Sequence, residues 1–252
     1  MTKKIILAAF VAAFAFTSCH KDPVPTPTPE PQTITRLASE KMVKTMGMMT
    51  MNTTRAFTWE NGILMHEDDT IVTPVVTTFY NNKMDYENGN LVKVTEESGK
   101  WQYTYTYENG RLKTFLNIME NDSTAWGEVT AYTEDGYVKE IMAYNDFKTT
   151  RWSLIWVDGD ATEIKEEILE PEESIATNVY TFTYDNKTNA YNGLPLAFAM
   201  PDGSGLMVAR YMSKHNRIEE GYTYNYNEDG FLTSVVTEND STFYNYIEQE
   251  VE

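Results

Sequence analysis

The sequence predicts an all-β fold: a long antiparallel meander of about 12–15 strands built from repeated hairpins. Such a sheet is expected to curl into a half-pipe, barrel or cocoon, with a short helical or loop insert near 190–212. Three observations predict it. A turn pattern recurs six times, runs of strictly alternating aromatic and polar residues fill the intervals, and polar breaks separate one hairpin from the next.

The turn glycines are Gly62, Gly89, Gly110, Gly136, Gly159 and Gly230, each preceded by Asn or Asp. Three or four positions before each glycine stands Trp59, Tyr86, Tyr107, Tyr132, Trp156 or Tyr226. Two positions after it comes Leu64, Leu91, Leu112, Val138, Ala161 or Leu232. Five positions after it come Val94, Phe115, Ile141, Ile164 and Val235, and the first copy breaks the rule with Glu67. Asn-Gly and Asp-Gly tolerate the positive φ angles of a two-residue type I′ turn, whose twist matches paired strands. A degenerate copy stands at Tyr184-Asp185-Asn186-Lys187.

Looser polar breaks at Glu120–Ser123, Tyr144–Asp146 and Glu238–Ser241 lead into the next strands at Trp126, Trp152 and Phe243. Trp101 to Tyr107, Tyr180 to Tyr184 and Tyr222 to Tyr226 alternate aromatic with Thr, Gln or Asn, so that one face of each strand is apolar and the other wet. Two segments break the rhythm. Residues 36–56 carry Met42, Met46, Met48, Met49 and Met51 and read as the opening hairpin, with a short helix from Ser39 to Met46 as the alternative. Residues 190–216 contain an apolar run, Gly193 to Met200, then Leu206 to Met212, which suits two helical turns. An apolar insert of this kind can plug a curved aromatic face.

Residues 1–18 read as a signal peptide: Lys3 and Lys4, then an apolar run from Ile5 to Phe16 too short to span a bilayer comfortably. Phe16-Thr17-Ser18-Cys19 resembles a bacterial lipobox, which implies that Cys19 becomes the acylated first residue of the mature chain. Residues 19–33 follow as a tether with alternating prolines that favour extended polyproline II, and 34–252 as a single hairpin-repeat domain. Loss of the leader would take the net charge from −18 to −20. That balance speaks against nucleic acid and against electrostatic adhesion to anionic headgroups. A lone cysteine excludes an internal disulfide.

Residues carrying obvious chemistry are sparse. His20, His66 and His215 lack metal-ligand spacing and read as loop histidines. Asp202-Gly203-Ser204-Gly205 covers only one side of a nucleophile elbow. Asp158-Gly159-Asp160 with Glu163 could offer calcium hard oxygens, but Asp158-Gly159 already serves as a turn. Glu67-Asp68-Asp69 reads as a solvated loop, and carboxylate pairs are too common among 38 acids to specify a glycosidase. The expectation is therefore no enzyme, no catalytic residue, no metal and no cofactor. The remaining candidates are aromatic: Trp101, Tyr103, Tyr105, Trp152, Trp156 and, from the insert, Phe198. They could stack on sugars or line a lipid pocket, although most such residues form core.

The lipobox, the Pro/Thr spacer, the Tyr107–Lys113 repeat, Gly193-Leu194-Pro195-Leu196 and Ser213-Lys214-His215-Asn216 together resemble a family of Bacteroidetes lipoproteins of unknown function with tyrosine-aspartate-like repeats. The resemblance covers the mature chain. It implies an outer-membrane lipoprotein, periplasmic or surface-exposed, anchored through its lipid and sometimes labelled lipid-binding. The functional expectations are a monomeric binding module for an apolar or amphipathic ligand, then a surface adhesion protein for glycan or protein, then a glycan-active hydrolase.

Overall fold

The computed structural model describes residues 32–47, 49–119, 122–145, 148–170, 173–201 and 203–251. Cys19, the leader, most of the tether, Met48 and Asp202 lie outside them. The strands are β1 (Gln32–Met46), β2 (Met49–Glu60), β3 (Ile63–Val72), β4 (Thr77–Glu87), β5 (Asn90–Glu96) and β6 (Trp101–Glu108). Next come β7 (Arg111–Met119), β8 (Asp122–Tyr132), β9 (Val138–Asn145), β10 (Thr149–Val157), β11 (Asp160–Glu170) and β12 (Glu173–Thr181). The chain ends with β13 (Thr183–Thr188), a 3₁₀ turn at Leu196–Ala199, α1 (Gly205–Met212), β14 (His215–Ile218), β15 (Thr223–Tyr226), β16 (Leu232–Val236) and β17 (Asp240–Val251).

Fifteen strands form one antiparallel sheet in the order β12 back to β1, then β17, β16 and β15. The meander is consecutive except at one seam, where β17 returns to pair with β1 from Gln32↔Val251 to Lys44↔Asp240. The first strand is thereby shielded inside the sheet, and the free edges are β12 and β15. The sheet is curled but not closed, which removes the barrel from the expected shapes. The methionine-rich opening is a hairpin: Met46 pairs with Met49 and Met42 with Thr53, so the alternative helix at Ser39–Met46 does not form.

The insert lies inside the curl. Phe198 of the 3₁₀ turn meets Phe57 of β2, while Gly203 lies against Phe115 of β7 and Ala143 of β9. Gly205 packs on Trp152 of β10 and Ile164 of β11. Strands far apart in the sheet order reach the same short segment, so the sheet wraps it. Phe198, Ala199, Met200, Val208 and Ala209 are buried there with the inward side chains of the sheet.

The repeat has a physical logic beyond its turn. At each copy the register slips by one residue just after the glycine: Thr106 pairs with Thr114 but Tyr107 with Leu112, leaving Lys113 unpaired. The same bulge occurs at Met65, Val92, Lys139, Thr162 and Thr233. A strand alternates faces with period two, so positions two and five after the glycine would otherwise face opposite ways. The bulge turns both inward, and Leu112 and Phe115 are each 2% exposed. The spacing before the glycine sets the turn. Copies with three residues put Asn61, Asn88, Asn109 and Asp158 at positive φ, as two-residue I′ turns require. Copies with four, at Tyr132 and Tyr226, make a longer turn. There the side chains of Thr133 and Asn227 accept hydrogen bonds from the N–H groups of Tyr137 and Phe231.

The repeat aromatics clamp one hairpin to the previous one. Tyr86 Oη donates to Leu64 O, Tyr107 to Leu91 O and Tyr132 to Leu112 O, at 2.8, 2.8 and 2.6 Å. Trp156 Nε1 donates to Val138 O and Tyr184 Oη to Ala161 O. Tyr246 donates to Leu232 O and Trp59 Nε1 to Leu37 O, continuing the ladder through the seam strands. Each acceptor in the repeats is the residue two after a turn glycine, beside the bulge. Burial pushes the Tyr86, Tyr107 and Tyr132 hydroxyls up to about 12, so they remain donors at any ordinary pH.

Candidate binding site

The irregular copy of the repeat builds the most polar part of the interior. In the first copy the position five after the glycine is Glu67, and the bulge turns it inward like the others; it is 6% exposed. Far from a solvated loop, Glu67-Asp68-Asp69 lies within β3, and His66 is a strand residue paired with Thr58 and Lys83. Glu67 stands between Phe57 of β2 and Asn82 of β4, and one pleat away Arg55 stands between Glu40 of β1 and Asp69 of β3.

Arg55 Nε lies 2.8 Å from Glu67 Oε1 and 3.3 Å from Asp69 Oδ1, so two carboxylates share one N–H. Its Nη1 donates to Tyr211 Oη at 3.0 Å. Glu40 is held chiefly from the insert: Arg210 Nη2 is 3.0 Å away, and Tyr191 Oη donates to it at 2.6 Å. Asn82 Nδ2 donates to Glu67 Oε2 at 3.2 Å. Burial pushes the Glu67 carboxyl up to about 7 against the pull of Arg55, with Asp69 adding repulsion. Burial raises the Asp69 carboxyl as well.

A cavity of about 180 Å³ opens beside this cluster. Arg55, Glu67, Asp69 and Asn82 line it together with Trp101, Tyr103 and Tyr105 of β6; Phe198, Pro201, Met207 and Tyr211 of the insert complete the lining. Trp101 and Tyr103 sit on one face of β6, ring centroids 4.9 Å apart. Of the five buried side-chain atoms that make no hydrogen bond among the described residues, two belong to this lining: Asn82 Oδ1 and Tyr105 Oη, on residues 3% and 4% exposed. Native proteins rarely leave such atoms unmatched, and both belong to residues of the cavity lining. A smaller cavity of about 120 Å³ shares Arg55 and Tyr211 and adds Glu40 and Arg210.

Four of the six aromatics expected from the sequence, Trp101, Tyr103, Tyr105 and Phe198, line this one cavity. Trp152 and Trp156 do not. Trp152 is buried beneath Gly205 as packing, and Trp156 is a ladder donor stacked on Tyr137 at 4.8 Å. The residues of this cluster and cavity not foreseen are Glu40, Arg55, Glu67, Asp69, Asn82 and Tyr211. Their only signal in the sequence is Glu67 standing where every other copy is apolar.

The other suspected chemistry is structural. His215 is no loop residue: it begins β14, and its Nδ1 lies 2.8 Å from Asp160 Oδ2, while its N–H donates to Oδ1. Asp160, once a conceivable calcium ligand, is thus occupied in anchoring the insert. Ser213 Oγ accepts from Ala161 N–H and donates to Tyr184 Oη. Asn216 Nδ2 donates to Thr188 O, and its Oδ1 accepts from Ala190 N–H. Asp185 accepts from Asn216 and from Tyr226 Oη. The Ser213–Asn216 segment therefore pins the insert to the hairpin ends. Ser204 caps α1, its Oγ accepting from Leu206 N–H. Among the described residues no cluster of three His, Cys, Asp or Glu is disposed to hold a metal, and no helix is long and apolar enough to cross a membrane.

The fold and the cavity define a class: an open antiparallel hairpin-repeat sheet wrapped on an insert, with a polar-aromatic pocket at their junction. Among solved structures it is similar to a porin-like protein from Bacteroides uniformis, with a TM-score of 0.58 and 12% identity over 84% of this chain and 96% of that one. At that identity the likeness is one of fold. No protein-family model matches the chain, and no curated protein does.

Proposed function

We propose that this chain is a lipidated protein of the bacterial envelope and a non-enzymatic binding module, whose pocket takes one sugar-sized polar ring of a glycan. The observation that carries the ligand class is the pair of buried, unmatched groups, Asn82 Oδ1 and Tyr105 Oη, on two residues that line a cavity with carboxylates on one wall and Trp101 and Tyr103 on another. A sugar ring presents hydroxyl donors at its rim and a C–H face that stacks on aromatics. The volume supports this occupant over a lipid. About 180 Å³ equals roughly six waters' worth of liquid, below the ~300 Å³ at which pockets for larger ligands begin. A second cavity, of about 260 Å³ between the insert and β1, β16 and β17, is also below that size.

Binding is favoured over hydrolysis because Glu67 and Asp69 share one guanidinium N–H on the same wall. A glycosidase needs its carboxyls on opposite sides of the scissile bond. A pore is disfavoured by the free edges at β12 and β15 and by the filled interior. The envelope location rests on the leader ending at Cys19 and on the family resemblance of the sequence. The fold likeness to a porin-like protein of Bacteroides is in keeping with it.

Saturation-transfer NMR of the purified full chain against a panel of methyl glycosides tests the reading. The expected result is transfer to ring protons of at least one glycoside, lost in Trp101→Ala. No transfer to any glycoside, together with a stoichiometric lipid in solvent extracts of the native protein, would overturn it.

A further inference from the structure

The charges around the pocket do not balance. Glu40 is matched by Arg210 at 3.0 Å, and the Tyr191 hydroxyl also bonds it. That leaves Arg55 alone for both Glu67 and Asp69, at 2.8 and 3.3 Å through the same Nε. With both carboxylates ionised the wall is one positive charge short. A buried uncompensated carboxylate is costly, and a cation placed against it recovers that cost. The unmatched Asn82 Oδ1 beside it is also an acceptor and also calls for a donor. A primary ammonium supplies three donors and one positive charge, and Trp101 offers the aromatic face on which the ring that carries it would rest.

We infer that the preferred occupant is an aminated sugar ring, its ammonium seated between Glu67, Asp69 and the Asn82 carbonyl oxygen, and its C–H face on Trp101. This rests on the sugar-binding reading above and narrows it to one substituent. Arg55 fixes both carboxylates in place; Tyr105, whose hydroxyl is the second unmatched group, receives a ring hydroxyl.

Calorimetric titration of the full chain at pH 7.5 tests it. The probes are matched pairs of methyl glycosides, identical except for an ammonium in place of the hydroxyl at C2 or at C6. The expected result is at least about tenfold tighter binding of one ammonium glycoside than of its hydroxyl twin. In Glu67→Gln the ratio of the two affinities falls to parity. Asp69→Asn removes the same excess charge and gives the same result should Glu67→Gln lose its near-UV circular dichroism. Equal affinities within each pair in the unsubstituted chain overturn the amine inference and leave the sugar reading standing. Binding of neither member overturns both.

Discussion

The first repeat and the third use the same backbone and bury opposite chemistry. Both have an Asn-Gly turn, a bulge three residues after the glycine, and a residue at position five turned inward. In the third that residue is Phe115, packed on the insert beside Gly203 and Gly127. In the first it is Glu67, held by Arg55 and Asn82 at the edge of a cavity. One end of the half-pipe grips the insert by close packing, and the other by ions with space left over. The lesson is that the repeat supplies a scaffold indifferent to what position five carries, so a site can be built by changing single residues on it.

The packed end should break hardest. A Cβ at Gly127 would collide with Phe115 and with the Met142 carbonyl oxygen, and backbone cannot yield as a side chain can. Gly127→Ala should cost about 3 kcal/mol or more in urea unfolding. The ionic end should respond instead to pH. The Glu67 carboxyl titrates at about 7 in the fold against 4.5 ordinarily, so between those values the native state holds a proton that the unfolded chain has released. Stability therefore falls as pH rises from about 4.5 through 7, by up to about 3 kcal/mol, and the loss is complete above 7. Asp69, raised in the same direction, adds to the slope. Urea midpoints measured between pH 5 and 8 should show the fall in the unsubstituted chain and a much flatter profile in Glu67→Gln.

Between these extremes lies the hydrogen-bond ladder, which both ends share. Tyr107→Phe removes the donor to Leu91 O and keeps the ring. It should cost about 1 kcal/mol, with ligand affinity unchanged because this hydroxyl faces a neighbouring hairpin. The companion change Trp156→Phe removes the donor to Val138 O at the packed end and should cost a similar amount. A large difference between the two would show that the ends do not share one ladder.

How much of this is legible in the sequence follows the same division. The turns, the strand faces, the opening hairpin and the helical insert all follow from local rules: positive φ at Asn-Gly, period-two alternation, and an apolar run too long for the repeat. The bulge is implicit in the three-residue interval between Leu112 and Phe115, and the change of turn at Tyr132 in its fourth spacer residue. Local rules do not say that β17 returns to β1, because that pairing joins residues some two hundred positions apart. Nor do they show that Glu40, Arg55, Glu67 and Arg210 converge, because four elements bring them together. The aromatics mislead for a related reason. Trp101 and Trp156 look alike in the sequence, yet one lines a cavity and the other is a rung of the ladder.

The smallest effect on stability is expected at Trp101, where the two ends of the comparison separate most cleanly. Its ring packs on Tyr103 and forms part of the cavity wall, but it is only half-buried and stands at the start of β6. Trp101→Ala should shift the urea midpoint by well under the cost of emptying a buried core site, about 1 kcal/mol at most, while weakening glycoside binding about tenfold or more through loss of the stacking face. Trp152→Ala, buried beneath the helix at Gly205, should do the reverse: about 3–5 kcal/mol of stability lost, with residual folded protein binding normally. If the two tryptophans instead showed the same balance of stability and affinity, the separation of packed end from binding end would fail, and the cavity at β6 would be one more part of the core.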